Sequence, residues 1–152
     1  MKFEHLIQIN DPLNPLIDTL DRAQLWQGLM RYVEDPVPFL LGLDACTITE
    51  RGADRMRREL SFGRTMVRDT VRLAPQERIH FETQASAEIP AGTLTITIEE
   101  PSPGNYFVRF VYETFPQGHA TVAAAYQEVV KQAYVQAGVD IVRRIRQIAA
   151  AQ

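Results

Sequence analysis

From His119 to the C-terminus the chain reads HATVAAAYQEVVKQAYVQAGVDIVRRIRQIAAAQ, its longest uninterrupted helical signal. Apolar or small side chains recur at Val122, Tyr126, Val129, Val130, Ala133, Tyr134, Ala137, Ile141, Ile145 and Ile148, in steps of three and four. Glu128, Lys131, Gln132, Gln136, Asp140, Arg143, Arg144 and Gln147 fall largely off that stripe. The spacing predicts a helix over 120–149, roughly 45 Å long at about 1.5 Å per residue. A domain of this size is narrower than that, so the helix needs a broad apolar partner.

The partner is legible in residues 44–114, where the period changes to two. Strands are expected near 44–50, 55–62, 65–73, 77–85, 92–99 and 105–115, with Gly- and Pro-containing punctuation between most of them. Connectors this short between consecutive strands imply antiparallel pairing. Ahead of them, residues 2–10 alternate, with Phe3, His5, Ile7 and Ile9 on one face. Leu20 to Glu34 reads as a helix capped by Asp18 or Asp21, with Leu25, Trp26, Leu29, Met30 and Val33 as its apolar face. Asp35-Pro36-Val37-Pro38 ends it, and Phe39 to Leu43 reads as one short helical turn. The expected fold class is therefore α+β: one strand, a helix, a short turn of helix, six antiparallel strands and the long helix. One face of the sheet must meet that helix and the other can face water.

One register follows from turn chemistry. Phe62-Gly63-Arg64-Thr65 places glycine first in a two-residue turn, the type II′ requirement. Leu60 then faces Val67, Arg58 faces Asp69, and Met56 faces Val71. This puts Arg58 and Asp69 opposite each other in the middle of an apolar face. The last hairpin sets Leu94, Ile96 and Ile98 against Tyr112, Phe110 and Val108 in the same way.

Composition narrows the function classes. A chain of 152 residues suits one domain, 1–152. A formal charge of −3 argues against nucleic acid or an anionic membrane as the main partner. Cys46 is the only cysteine, so no disulfide forms within the chain and a cytoplasmic location is expected. The first ten residues are too short and too charged for a signal peptide. No run reaches the about 18 apolar residues of a membrane span, so no integral membrane association is expected.

Few residues carry a chemical signal. Burying a charge is costly unless it is paired, so Arg58 and Asp69 read either as an ion pair that fixes strand register or as a polar anchor inside an apolar pocket. His5, alone on an inward face, reads first as a hydrogen-bonded core histidine. Phe81, Phe110, Tyr112, Tyr126 and Tyr134 read as core or as cavity lining, the tyrosines favouring a cavity because a buried hydroxyl wants a partner. Cys46 reads as a small buried hydrophobe and Trp26 as a packing residue. The basic run Arg51, Arg55, Arg57, Arg58 is interrupted by acids and reads as a solvated hairpin. His5, His80 and His119 are scattered, so no metal and no cofactor are expected, and no nucleophile or phosphate-loop motif is present. Gly138 marks a bend in the last helix or a close approach to the sheet.

The element order resembles the START/birch-pollen-allergen superfamily, whose helix-grip fold wraps a curved antiparallel sheet around the last helix. FEHLIQIN at 3–10, LDRAQLWQGLMRYVEDPVPFLLGL at 20–43, RELSFG at 58–63, VRDTVRL at 67–73 and YFVRFVYE at 106–113 are more narrowly similar to the AtaL-like branch, a domain of unknown function. The resemblance implies a seven-stranded sheet and a cavity between sheet and helix, used across the superfamily for lipids, polyketides and other apolar molecules. It transfers no mechanism, because its members include aromatase/cyclases, carriers and chaperone regulators.

The leading expectation is a non-enzymatic binder of a small hydrophobic, lipid- or polyketide-like molecule. Phe81, Phe110, Tyr112 and Tyr126 would line its cavity, Val130 and Tyr134 would roof it, and Arg58 and Asp69 would orient a polar end, with His5 nearby. The alternative is a cyclase or dehydratase in which Asp69, His5 or Tyr112 moves protons in the same cavity. A tight Arg58–Asp69 ion pair would count against that alternative. A third class is a protein-interaction module or a homodimer.

Overall fold

The computed structural model describes residues 1–87, 89–115 and 124–152, with side chains of the last segment from Glu128 onward. Its elements are β1 (Lys2–Gln8), α1 (Arg22–Glu34), β2 (Ala45–Arg51), β3 (Arg55–Phe62), β4 (Thr65–Ala74), β5 (Arg78–Thr83), β6 (Ala91–Ser102), β7 (Asn105–Phe115) and α2 (Ala124–Ala150). All seven strands form one antiparallel sheet in the order β1-β7-β6-β5-β4-β3-β2. Five consecutive hairpin pairings build it, and the first strand closes back on the last, where Ile7 pairs with Val108 and Phe3 with Tyr112.

The hairpin register is the one the turn demands. Phe62 pairs with Thr65, Leu60 with Val67, Arg58 with Asp69 and Met56 with Val71. Gly63 takes φ 61° and Arg64 does not share the positive φ, as a type II′ turn requires. β6 runs three residues further than the expected strand, through an irregularity between Glu99 and Ser102, before the Pro103-Gly104 turn. The helical turn expected at 39–43 is present as turns, with the Phe39 and Leu40 amides donating to the Pro36 carbonyl.

The inner face is organised as transverse rows of paired residues. One row runs Met56, Val71, Phe81, Leu94, Tyr112, Phe3. The next runs Leu73, Ile79, Ile96, Phe110, His5. On the other side of the first lies a polar row, Arg58, Asp69, Thr83, Gly92, Thr114. The core grows from the two apolar rows. Val71, Ile79, Ile96 and Phe110 are fully buried together with Leu25, Leu29 and Val33 of α1 and Ile141 and Ile145 of α2.

α1 begins in a capping box: Asp21 Oδ1 accepts from the Gln24 amide at 2.7 Å and the Gln24 side chain accepts from the Asp21 amide at 3.0 Å. Asp21, not Asp18, is thus the cap. Buried Asn10 anchors the approach, accepting from the Leu20 amide and donating to the Leu20 and Gly104 carbonyls. The helices cross at Gly28, where a Cβ would lie 2.6 Å from Ile145 Cγ2. α2 meets the sheet at Gly138, where a Cβ would lie 3.3 Å from both His5 Nδ1 and Ile7 Cδ1. Gly138 therefore serves close approach to the sheet within a continuous helix.

The long stripe is buried deeply only in its second half and is half-buried at Val130, Tyr134 and Ala137. Ile141, Val142 and Ile145 are buried, whereas Val129 is 65% exposed and Ala133 is exposed. Val122 and His119 lie outside the described residues. No helix among the described residues is long and apolar enough to cross a membrane.

Candidate functional site

Beside the core, the two helices and the sheet leave a cavity of about 350 Å³. Its floor is the polar row with parts of the apolar rows beside it, in particular Leu60, Phe62, Val67, Phe81, Leu94 and Tyr112. Tyr32 and Pro36 come from α1 and its exit, Ile89 and Pro90 from the β5–β6 connection, and Tyr134 from α2. The lining is mostly apolar with a few polar groups gathered on one side, the usual anatomy of a small-molecule site.

The polar side is built around Arg58. Its Nε donates to Asp69 Oδ1 at 3.0 Å and its Nη2 to Asp69 Oδ2 at 2.7 Å, a bidentate pair with both residues buried. Its Nη1 donates to the Val33 carbonyl at 2.7 Å, satisfying an acceptor in the last turn of α1. The guanidinium lies over the Phe81 ring, 5.2 Å from the centroid. Burial by itself lowers the pKa of Arg58, but the hydrogen bonds and charge of Asp69 outweigh it and the net shift is upward. Arg58 is a permanent cation whose charge is neutralised in place.

Tyr32 stands edge-on to Phe39 and Phe81, at ring distances of 5.4 and 6.0 Å. Burial pushes its hydroxyl pKa up to about 12, with Arg58 pulling it down and Asp69 pushing it up. Tyr112 stacks on Tyr134 with centroids 3.9 Å apart and planes 3° from parallel, and Phe3 lies 6.3 Å from each. Burial, then the neighbouring tyrosines, raises the Tyr112 pKa as well. The Tyr32 and Tyr112 phenols stay protonated at neutral pH and offer hydrogen-bonding groups rather than bases.

The cavity thus brings together Arg58, Asp69, Phe81, Tyr112 and Tyr134. It does not include Phe110, which is fully buried beneath Gly138, nor Val130, which is half-buried on α2. His5 lies one row away, with its ring 6.4 Å from Phe110 and its Nδ1 buried without a partner among the described residues. Burial lowers its pKa. The Tyr126 side chain lies outside the described residues. Sequence reasoning placed Thr83 on the inner face without naming it as lining, and did not single out Tyr32, Pro36, Leu40 or Thr114. Tyr32 carried a usable signal, because it falls three residues after Leu29 and seven after Leu25 on the buried stripe of α1.

Among the described residues no three His, Cys, Asp or Glu side chains are grouped to hold a metal ion. Cys46 is half-buried, and its thiol pKa is raised by burial first, so it is a poor nucleophile. What the site offers is shape, apolar surface, a neutralised ion pair and hydroxyls.

Residues 7–152 match the family model AtaL, described as Acetylaranotin biosynthesis cluster protein L. No curated protein sequence matches the chain. Among solved structures, the di-domain ARO/CYC StfQ from the steffimycin biosynthetic pathway is similar with a TM-score of 0.71 at 11% identity, over 99% of this chain and 50% of that one. The Zhui aromatase/cyclase from Streptomyces sp. R1128 is similar with a TM-score of 0.66 at 11% identity, over 99% of this chain and 93% of that one. Ara h 8.0201 gives a TM-score of 0.67 at 13% identity, over 100% of this chain and 99% of that one. Likeness at such identities establishes the fold alone, a helix-grip arrangement of curved antiparallel sheet and long last helix. With a match that runs from the end of β1 to the last residue of the described chain, this protein belongs to the AtaL family.

Proposed function

We propose that the chain binds a small, largely apolar molecule in the cavity between α1, α2 and the sheet, and performs no chemistry on it. The observation that carries this reading is the cavity itself. A concave space of about 350 Å³ opens beside the well-filled core, lined mostly by apolar side chains with polar groups gathered around Arg58. It falls at the small end of the range of about 300–1,000 Å³ typical of ligand pockets. The family description, naming a biosynthesis cluster, and two structural neighbours described as ARO/CYC or aromatase/cyclase proteins support a polyketide-like or otherwise hydrophobic natural product as the ligand class.

The cyclase or dehydratase alternative draws less support from the geometry. Two of its three proton carriers are poorly placed: Asp69 is clamped by Arg58, and His5 lies outside the cavity. Tyr112 lines the space free of such a clamp, and its raised pKa suits it to donating a hydrogen bond.

Native mass spectrometry of protein purified from its own host should find a bound molecule, and a neutral apolar dye such as Nile red should enter the emptied protein. Leu94→Trp should fill the space and exclude the dye while leaving the fold intact by circular dichroism. Absence of both bound ligand and dye uptake in the wild type would sink the proposal.

A further inference from the structure

The cavity's one cation, among the described lining residues, is already spent. A carboxylate-bearing ligand such as a fatty acid needs an unpaired cation or a set of free donors to leave water. Arg58 is the sole Lys, Arg or His among those residues, and its fork is filled side-on by Asp69 and tied at Nη1 to Val33. Three of the five N–H donors of the guanidinium have protein acceptors. A second carboxylate would have to share Arg58 with Asp69, which amounts to burying an uncompensated negative charge beside another.

A neutral polar group meets the opposite situation. Asp69 uses one lone pair of each oxygen on Arg58, so its carboxylate can still accept. Thr83 is its direct cross-strand neighbour on the same face, and Thr114 lies further along the row beyond Gly92, which contributes no side chain there. Tyr32 borders the same space with a hydroxyl held protonated. Acceptors and donors are thus interleaved along one side of the cavity, with no net charge on the Arg58–Asp69 pair.

We infer that this row selects a neutral ligand whose polar end both donates and accepts, an alcohol, phenol or carboxamide, and discriminates against carboxylates. The inference rests on the binder reading and adds the chemical class of the ligand's polar end. Asp69 is the specificity-determining residue, because it neutralises the only cation there among the described residues.

The test is displacement of Nile red from the full-length protein by octanol, octane and octanoate at pH 7.5, each below its aggregation limit. Octanol should displace the dye about tenfold more tightly than octanoate and also more tightly than octane. The first comparison reports the missing free cation; the second reports engagement of the polar row, which a purely apolar pocket would not give. In Asp69→Asn, octanoate should gain about tenfold, since Arg58 then has an anion to find. Octanoate matching octanol in the wild type, octane matching octanol, or a folded Asp69→Asn showing no gain for octanoate would each overturn the inference. If that variant does not fold, the two wild-type comparisons decide. If Nile red does not enter at all, the binder reading fails first, a different result from any of these.

Discussion

Arg58 Nη1 lies 2.7 Å from the carbonyl oxygen of Val33, so a side chain of β3 satisfies the last turn of the first helix. The same guanidinium holds Asp69 on β4 and covers the ring of Phe81 on β5. One residue therefore fastens α1 to three strands and also lines the cavity. The two roles do not compete: the guanidinium that holds the helix end is neutralised by Asp69 where it borders the cavity.

Removing one partner of this pair should cost far more than replacing both. Arg58→Met leaves Asp69 buried and unpaired, and should lower stability by about 3–5 kcal/mol. Arg58→Met combined with Asp69→Leu removes both charges and should lose clearly less than the single change, because two desolvation penalties vanish together. Urea midpoints at constant m would measure this. A double variant no more stable than Arg58→Met would mean that the helix-end bond to Val33, not the charge pair, dominates.

The helix crossing gives a second expectation. In an exposed helix, Gly→Ala adds about 1 kcal/mol of stability. At Gly28 the new methyl would sit 2.6 Å from Ile145 Cγ2 and 3.1 Å from its Cβ, atoms near the backbone that cannot swing aside. Gly28→Ala should therefore destabilise by about 1–3 kcal/mol. In an Ile145→Ala background the same change should be neutral or stabilising, and a double-mutant cycle would show the sign reversal.

The strand registers were legible because turn chemistry and alternation both specify them. Gly63 selects a turn, the turn selects which residues face each other, and Arg58 opposite Asp69 follows without tertiary information. What stayed illegible depends on where α2 crosses the sheet. Gly138 presses onto the row of His5 and Phe110, so Phe110 seals into the core and His5 is half-buried beside it, away from the open space. Tyr134, one turn earlier, stacks on Tyr112 in the neighbouring row and borders the open space instead. Periodicity makes Phe110 and Tyr112 equivalent, and only the docking point of the helix separates them. The cavity also reflects small side chains meeting at Thr83, Gly92 and Thr93, a volume deficit that no single strand reveals.

Alkaline pH should expose the burial of Tyr32. Its pKa is raised from 10.0 to about 12 in the folded protein. The unfolded chain therefore loses this proton first as pH rises. The stabilising contribution is complete below pH 10 and declines between about 10 and about 12, by about 3 kcal/mol at most. Tyr112 shifts in the same direction and adds to the decline. Tyr32→Phe should be less sensitive than the wild type over that window in denaturant titrations. An identical alkaline slope in the two proteins would place the phenol in contact with water.

On the acid side the corresponding group is His5. Its ring packs against Phe110, and its Nδ1 faces Gly138 of α2, buried and without a partner among the described residues. Burial lowers its pKa below the ordinary value of 6.5, so the folded protein favours the neutral imidazole. The unfolded chain takes up the proton first as pH falls. Stability from this residue is thus complete above about pH 6.5 and declines below it until the folded form also protonates. His5→Leu keeps the apolar contact and removes the titration. The difference in unfolding free energy between wild type and His5→Leu should be flat above pH 7 and shift against the wild type toward pH 5, the carboxylates common to both cancelling. A constant difference across that range would show that the imidazolium is accommodated as it stands, with α2 already leaving room for water at Nδ1.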